Sequence, residues 1–381
     1  MAFAGNRPRP YVAARFRKQL LEGEDLKALD RQDMRALCRL LRLTRALEES
    51  LEILLKQGHV VGGLYRSLGQ EATAVGCGYA LAEGDWLAPS IRDLGALLAR
   101  GLDPIEVLRQ YAARATSPCA GKDNTNHFTI PGLGLLGPIS PLGTQLCVLN
   151  GVALSFRTRR EDRVCLAFQG EGATRTGASH EGLAMAAALD LPIVVVLEHN
   201  RWAFGTRCTS EAAVSDWTDV AGAHGVPAVS VDGNDVLEVY DAATQALARA
   251  RAGDGMTLIV AETYRMLGHA QHDSQHHVPA AELEEWASRD PIDRLDAYLV
   301  EHGFETEADL ASIDESVAAQ IDAAVERVLD EPFPAPTEAR TRVYGESGLD
   351  AEVPWTRREI VGYADLAAGE DVRRPAGAAR G

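Results

Sequence analysis

Residues 164–202, VCLAFQGEGATRTGASHEGLAMAAALDLPIVVVLEHNRW, decide the fold. The apolar run Val164 to Phe168 leads into Gly170-Glu171-Gly172-Ala173 and a small-residue segment that reaches Leu189. A second apolar run, Ile193 to Leu197, ends in Glu198-His199-Asn200-Arg201-Trp202. Short unbroken apolar runs suit strands buried on both faces, and the segment between them has helix length. The stretch therefore reads as strand, helix, strand within a parallel sheet.

In such sheets ligands sit beyond the carboxyl ends of the strands, where helix N-termini offer free N–H groups and a positive dipole end. Gly170 and Gly172 let the backbone approach a ligand closely. Glu171, however, aims a carboxylate at the place a diphosphate would occupy. Like charges in a low-dielectric cleft repel by several kcal/mol, so the arrangement requires a cation between them. Magnesium fits, because it takes oxygen ligands octahedrally and is usually held by one or two protein groups plus phosphate oxygens. The second protein oxygen is expected at the end of the neighbouring strand, where Asn200 stands 29 residues after Glu171, the length of one crossover.

These residues resemble the thiamine-diphosphate motif, in which the acid, the asparagine side chain and the carbonyl two residues on, here Trp202, hold magnesium. The surrounding text, GEGATRTGASHEGLAMAAALDLPIVVVLEHNRWAFGT, resembles the alpha subunit of the two-subunit 2-oxo acid dehydrogenases, the decarboxylating component of the pyruvate and branched-chain complexes. The resemblance runs from about Met34 to Phe333. It implies an α/β thiamine-diphosphate-binding fold, a parallel sheet flanked by helices on both faces. The expected organisation is an N-terminal arm over residues 1–30, a binding domain over 31–344 and a tail over 345–381.

Composition sets the outer limits. A chain of 381 residues can bury one large or two ordinary cores, and 46% hydrophobic with 24% charged residues is the balance of a soluble globular protein. The net charge of −17 argues against nucleic acid and anionic membrane surfaces, both of which reward a basic face. Cysteines 38, 77, 119, 147, 165 and 208 are scattered without a C-x-x-C pair and read as small core residues in a reducing, cytoplasmic compartment. Arg7, Arg9, Arg15, Arg17 and Lys18 precede any nearby acid and weakly mimic a mitochondrial transit peptide, although a basic arm is the preferred reading.

Along the chain, Leu37, Leu40, Leu41, Leu47, Leu51, Leu54 and Leu55 predict a core helix from Asp33 to Gly58. The turn Gly69-Gln70-Glu71-Ala72 matches one in the resembled family. After Pro89-Ser90-Ile91, Arg92 takes the place of a family arginine that contacts the diphosphate; its forked donors suit phosphate oxygens, and a surface salt bridge is the competing reading. The aromatic that precedes this arginine in the family is replaced by Ile91. Residues 115–145 form a long Gly- and Pro-rich loop, a feature more often functional than idle. It carries His127, which matches a family histidine or serves as a structural hydrogen-bonder. Its end, Ser140-Pro141-Leu142-Gly143-Thr144-Gln145, resembles the branched-chain version of the family. There the main chain at Ser140 and Leu142 lies against the aminopyrimidine ring, and Thr144 and Gln145 help bind potassium, although such a pair is common in ordinary turns. Gly182 and Ala186 on one face of the helix Gly177 to Leu189 would admit either another subunit or close packing within the chain.

The segment Glu262-Thr263-Tyr264-Arg265-Met266-Leu267-Gly268-His269-Ala270 looks like the family's active-site loop. His269 stands where the family has its catalytic histidine, able to stay protonated against a diphosphate or to relay protons. Ala270 occupies the position of a phosphorylated serine, so that switch is expected to be absent. His272, His276 and His277 read as a solvated loop rather than a metal site.

Together the resemblance implies thiamine diphosphate anchored by magnesium, Arg92, His269 and the amides of Gly172 and Ala173. It implies oxidative decarboxylation of a branched-chain 2-oxo acid or pyruvate, with acyl transfer to the lipoyl group of an acyltransferase. The glutamate that activates the aminopyrimidine belongs to the beta chain in this family, so two alpha and two beta chains are expected, the alpha chain being inactive alone. Acetoin is the alternative substrate. A nicotinamide-binding domain is disfavoured because its third glycine would fall at Arg175 and Glu171 would repel its pyrophosphate. A degenerate subunit is the other alternative, resting on Glu171, Ile91 and His199 where the family commonly has other residues.

Overall fold

The computed structural model describes residues 29–60 and 62–341. The main elements are α1 (Arg31–Lys56), α2 (Glu71–Ala80), β1 (Trp86–Ala88), α3 (Leu94–Ala99), α4 (Pro104–Tyr111), α5 (Thr144–Arg159), β2 (Cys165–Gly170), α6 (Gly177–Ala188) and β3 (Ile193–His199). They continue with β4 (Trp202–Ala203), β5 (Thr206–Arg207), α7 (Cys208–Glu211), α8 (Asp219–Gly222), β6 (Ala228–Asp232), α9 (Val236–Arg251), β7 (Thr257–Glu262), α10 (Ala280–Ala287), α11 (Pro291–Glu301) and α12 (Glu307–Asp330). The chain divides into two units, residues 1–334 and 335–381; the second is described only over residues 335–341, which hold the short turn Pro336–Arg340. Apart from Leu29 and Asp30, the expected arm and tail lie outside the described residues.

Five strands form one sheet in the order β1-β2-β3-β7-β6, and every neighbouring pair is parallel. The expected strand, helix, strand unit is β2, α6, β3. Successive side chains of a strand face opposite ways, so each central strand feeds two cores. Cys165, Ala167, Ile193, Val195, Leu197, Leu258 and Val260 pack with α5 and α6 on one face. Leu166, Phe168, Val194, Val196 and Ile259 pack with α1, α2, α3 and α9 on the other. This double burial explains the uninterrupted apolar runs. The helices follow from right-handed crossovers. The chain moves one way from β2 to β3 with α6 on one face, then back from β6 to β7 with α9 on the opposite face.

Local chemistry fixes the ends. α1 begins at Arg31, two residues before the expected Asp33, because Asp30 accepts hydrogen bonds from the Gln32 and Asp33 N–H groups and closes a capping box. α6 begins after Thr176, whose hydroxyl accepts from Ser179 N. Gly182 packs inside the chain. A Cβ added there would meet Leu146 of α5 at 2.8 Å, so intramolecular packing is the reading that holds for this glycine. No described helix is long and apolar enough to cross a membrane.

Candidate active site

The carboxyl ends of β1, β2, β3 and β7 lie side by side, and the segments leaving them carry the predicted residues. In register, Gly170 pairs with Glu198 and His199 with Glu262. The three-residue β1 stops at Ala88, before Ser90 to Arg92. The sheet thus gathers residues separated by up to 177 positions into one cleft.

Glu171 opens a short 3-10 turn directly after β2 and is 1% exposed. Its Oε2 accepts from the Asn200 N–H at 3.3 Å, so positions 171 and 200 meet as the spacing required. Its Oε1 has no hydrogen-bond partner. Burial, together with Glu211 from α7, pushes its carboxyl up to about 7, against the weaker opposite pull of its hydrogen bonds and Arg201. A buried carboxylate with a free oxygen calls for a cation. Asn200 is buried, and its Oδ1 accepts from the Trp202 N–H at 3.3 Å. Arg201 between them sits at φ +75°, a left-handed turn that ends β3 sharply. The Trp202 indole donates to the Tyr264 hydroxyl at 3.1 Å, which leaves Trp202 only its main-chain oxygen for a metal. A Cβ on Gly170 would point into open space, whereas one on Gly172 would strike Ala203 at 2.7 Å; the turn is thus pressed against the β4–β5 hairpin on one side and open on the other.

Among the described residues, no three His, Cys, Asp or Glu side chains cluster as metal ligands. Magnesium here would draw its oxygens from Glu171, Asn200 and the Trp202 carbonyl, with the rest from phosphate and water. The free Glu171 oxygen and the space beside Gly170 fit that arrangement.

The opposite charge stands nearby. Arg92 donates to the His269 carbonyl and its buried Nε has no partner. Arg265 is 1% exposed and donates to the carbonyls of Leu267 at 3.1 Å and Phe204 at 2.7 Å. Burial lowers the Arg92 guanidinium below its ordinary range, and burial with Arg92's repulsion brings Arg265 down to about 10. Burial, then Arg92 and Arg265, push the His269 imidazole down to about 4. Two guanidinium groups beside the ring disfavour its cation, and a neighbouring anion would push the other way. Its ring lies 4.4 Å from Phe204 and 5.4 Å from Tyr65, centroid to centroid.

The loop carrying His269 is tied down. Asp273 accepts from the His269 N–H at 2.8 Å and the Gln275 N–H at 3.0 Å, and Gln271 donates to Glu52 of α1 at 2.8 Å. Ala270 is buried, while His272, His276 and His277 are exposed.

The turn before α5 presents Ser140, exposed, and Leu142, 58% exposed. The Ser140 hydroxyl pairs with His127 Nε2 at 3.4 Å, which gives that histidine a structural contact. Gly143 holds the turn against the start of α6, where a Cβ would meet Ser179 N at 2.8 Å. Thr144 is half-buried, and Gln145 is buried with its amide nitrogen donated to the Phe168 carbonyl. His199, before Asn200, is buried between Glu262, 2.9 Å from its Nδ1, and the Trp217 ring.

Several neighbours gave no signal in the sequence. Tyr65 approaches Arg92 from a segment before α2, and Phe204 approaches His269 from the β4–β5 hairpin. Glu211 faces Gly172, with its Oε2 3.6 Å from a Cβ built there. Asp93 and Glu198 form a buried acid pair bridged by Ser90, which gives Asp93 its N–H at 2.5 Å and Glu198 its hydroxyl at 3.2 Å. Burial pushes both carboxyls up, and mutual repulsion adds to it at Glu198.

The family described as the dehydrogenase E1 component matches residues 39–337. The chain is 32% identical to the alpha subunit of the acetoin:2,6-dichlorophenolindophenol oxidoreductase of Cupriavidus necator, over 83% of this chain and 95% of that one. It is 35% identical to the alpha subunit of the 3-methyl-2-oxobutanoate dehydrogenase of Mycobacterium tuberculosis, over 87% of this chain and 89% of that one. It is 31% identical to the pyruvate dehydrogenase E1 component subunit alpha of Rhizobium meliloti, over 87% of this chain and 96% of that one.

Proposed function

Because the chain belongs to the dehydrogenase E1 component family, we propose that it is the alpha subunit of a thiamine-diphosphate-dependent 2-oxo acid dehydrogenase that decarboxylates a branched-chain 2-oxo acid or pyruvate. One observation carries this: unmet charges of both signs share one strand edge. Glu171 keeps a buried oxygen without a partner, while Arg92, whose buried Nε is also unpartnered, Arg265 and His269 crowd together close by, so that each disfavours its neighbours' positive charge. A magnesium diphosphate satisfies both.

In this reading Glu171, Asn200 and the Trp202 carbonyl hold magnesium. Arg92, His269 and the amides of Gly172 and Ala173 hold the diphosphate, and the main chain at Ser140 and Leu142 reads the aminopyrimidine. Thr144 and Gln145 would contribute to a potassium site at the start of α5. When bound, thiamine diphosphate supplies a nucleophilic carbon and an electron sink for loss of carbon dioxide. The protein's part is to neutralise charge, fix orientation and keep water out. An anion beside His269 restores its basicity, so the ring can hold or release a proton at Nδ1 or Nε2 during acyl transfer to a lipoyl group.

A beta subunit completes the site in this proposal, within a cytoplasmic assembly of two alpha and two beta chains that passes the acyl group to a lipoyl-bearing acyltransferase. Supporting it, Val148 on α5, Met185 on α6 and Leu189 beside it stand exposed on packed neighbouring helices. Acetoin as substrate is the second reading, favoured by the likeness to the Cupriavidus necator subunit. A panel of branched-chain 2-oxo acids, pyruvate and acetoin, assayed on the chain reconstituted with its beta subunit, tests the proposal. Full turnover of any of them by the alpha chain alone would refute the shared site.

A further inference from the structure

We propose that the Tyr65 hydroxyl is a diphosphate-binding group, standing in for the aromatic that Ile91 replaces beside Arg92. The inference rests on the function proposed above and concerns which residues of this chain complete the anion site.

Tyr65 lies 26 residues before Ile91 in sequence, yet its ring reaches the same arginine. The Arg92 guanidinium carbon is 5.9 Å from the Tyr65 ring centroid, and the His269 ring meets Tyr65 edge-on at 5.4 Å. Tyr65 is half-buried, and its hydroxyl makes no hydrogen bond among the described residues. Beside it, the Nε of Arg92 is buried without a partner. Two donors on neighbouring side chains are thus left unused, and a third sits on the His269 ring. The Arg92 Nε is the buried one, and a buried donor rarely remains unmet because it costs about 1–3 kcal/mol; the half-buried Tyr65 hydroxyl beside it stays open to a ligand. A phosphate group has enough acceptor oxygens to take all three.

The segment is built to hold Tyr65 there. Glu48 of α1 is 2% exposed and accepts from both the N–H and the hydroxyl of Ser67, at 2.6 and 2.8 Å. The Leu64 carbonyl accepts from Gln271 N at 2.9 Å, which joins the segment to the loop that bears His269. Gly63 leaves room for the ring: a Cβ at that position would come within 2.8 Å of Tyr65 Cε2 and 3.1 Å of its hydroxyl. Asp93 sits just beyond Arg92 and bonds to the Ser90 N–H, which fixes the arginine's backbone and leaves Ile91 half-buried without a polar group.

The test is calorimetric binding of thiamine diphosphate with magnesium to the full chain assembled with its beta subunit, comparing the parent, Tyr65→Phe, and Tyr65→Phe combined with Ile91→Tyr. Phenylalanine keeps the ring against Arg92 and removes only the hydroxyl. Its affinity should fall about tenfold, corresponding to ~1.4 kcal/mol, with an unchanged melting temperature. Ile91→Tyr should restore most of that loss. Affinity within twofold of the parent in Tyr65→Phe, or a double variant no tighter than the single one, overturns the assignment of Tyr65 alone. Absence of binding in the parent overturns the proposed function itself, and with it this inference.

Discussion

Replacing Glu171 by glutamine should stabilise the metal-free protein while abolishing magnesium-dependent cofactor binding. The carboxyl is 1% exposed, keeps one unpaired oxygen and is raised from 4.5 to about 7, burial being the main cause. In the unfolded chain it ionises near 4.5; in the folded chain it holds its proton until about pH 7. The folded state therefore binds more protons, and stability falls as pH rises between these values. About two and a half pH units at ~1.4 kcal/mol each give roughly 3 kcal/mol lost above pH 7 and nothing lost below pH 4.5. Glutamine cannot ionise, so the variant should match the parent near pH 4.5 and exceed it by up to about 3 kcal/mol at pH 8. At ~2 °C per kcal/mol for a chain of this size, that is a rise of several degrees. Thermal unfolding with a chelator present, across pH 4.5–8, reads it directly. A variant that melts lower than the parent at pH 8, or gains equally at every pH, would refute the claim that this acid is buried without its cation.

Asp273→Ala removes the acceptor for the His269 and Gln275 N–H groups; limited proteolysis should cut between residues 266 and 277, and turnover should fall at least tenfold while the melting temperature changes little. Gly182→Ala should cost about 1–3 kcal/mol by overpacking against Leu146, and adding Leu146→Ala should recover part of that loss, measured as non-additivity in denaturant unfolding. The His269 ring, held down to about 4 by burial and then by Arg92 and Arg265, should show no protonation above pH 5.5 by NMR in the cofactor-free protein and should titrate at higher pH once magnesium and thiamine diphosphate are added. Its depressed value also means that it loses stability for the fold as pH falls from 6.5 towards 4, a contribution His269→Gln should remove.

The central sheet could be read from the chain because β2 and β3 are buried on both faces, which forces unbroken apolar runs and leaves polar residues only where each strand ends. Glu171 and Asn200 were legible for the same reason: their spacing is one crossover, and the register places them side by side. Arg92 and His269 needed the family pattern, since neither spacing nor periodicity ties residue 92 to residue 269. Tyr65 was invisible because its contact with Arg92 depends on how Glu48 and Gln271 hold residues 64–67. The Asp93–Glu198 pair escaped notice because no spacing or periodicity ties these two acids together until the sheet brings them side by side. The face bearing Gly182 was ambiguous because a small residue admits any close neighbour, and only the position of Leu146 decides which one.

The most direct measurement is a titration of the assembled protein with thiamine diphosphate in magnesium and in a chelator. Saturable binding that weakens at least a hundredfold without the metal, and that Glu171→Gln or Asn200→Ala removes, is the predicted result. Equal affinity with and without magnesium would contradict the claim that residues 171 and 200 hold a cation for the diphosphate.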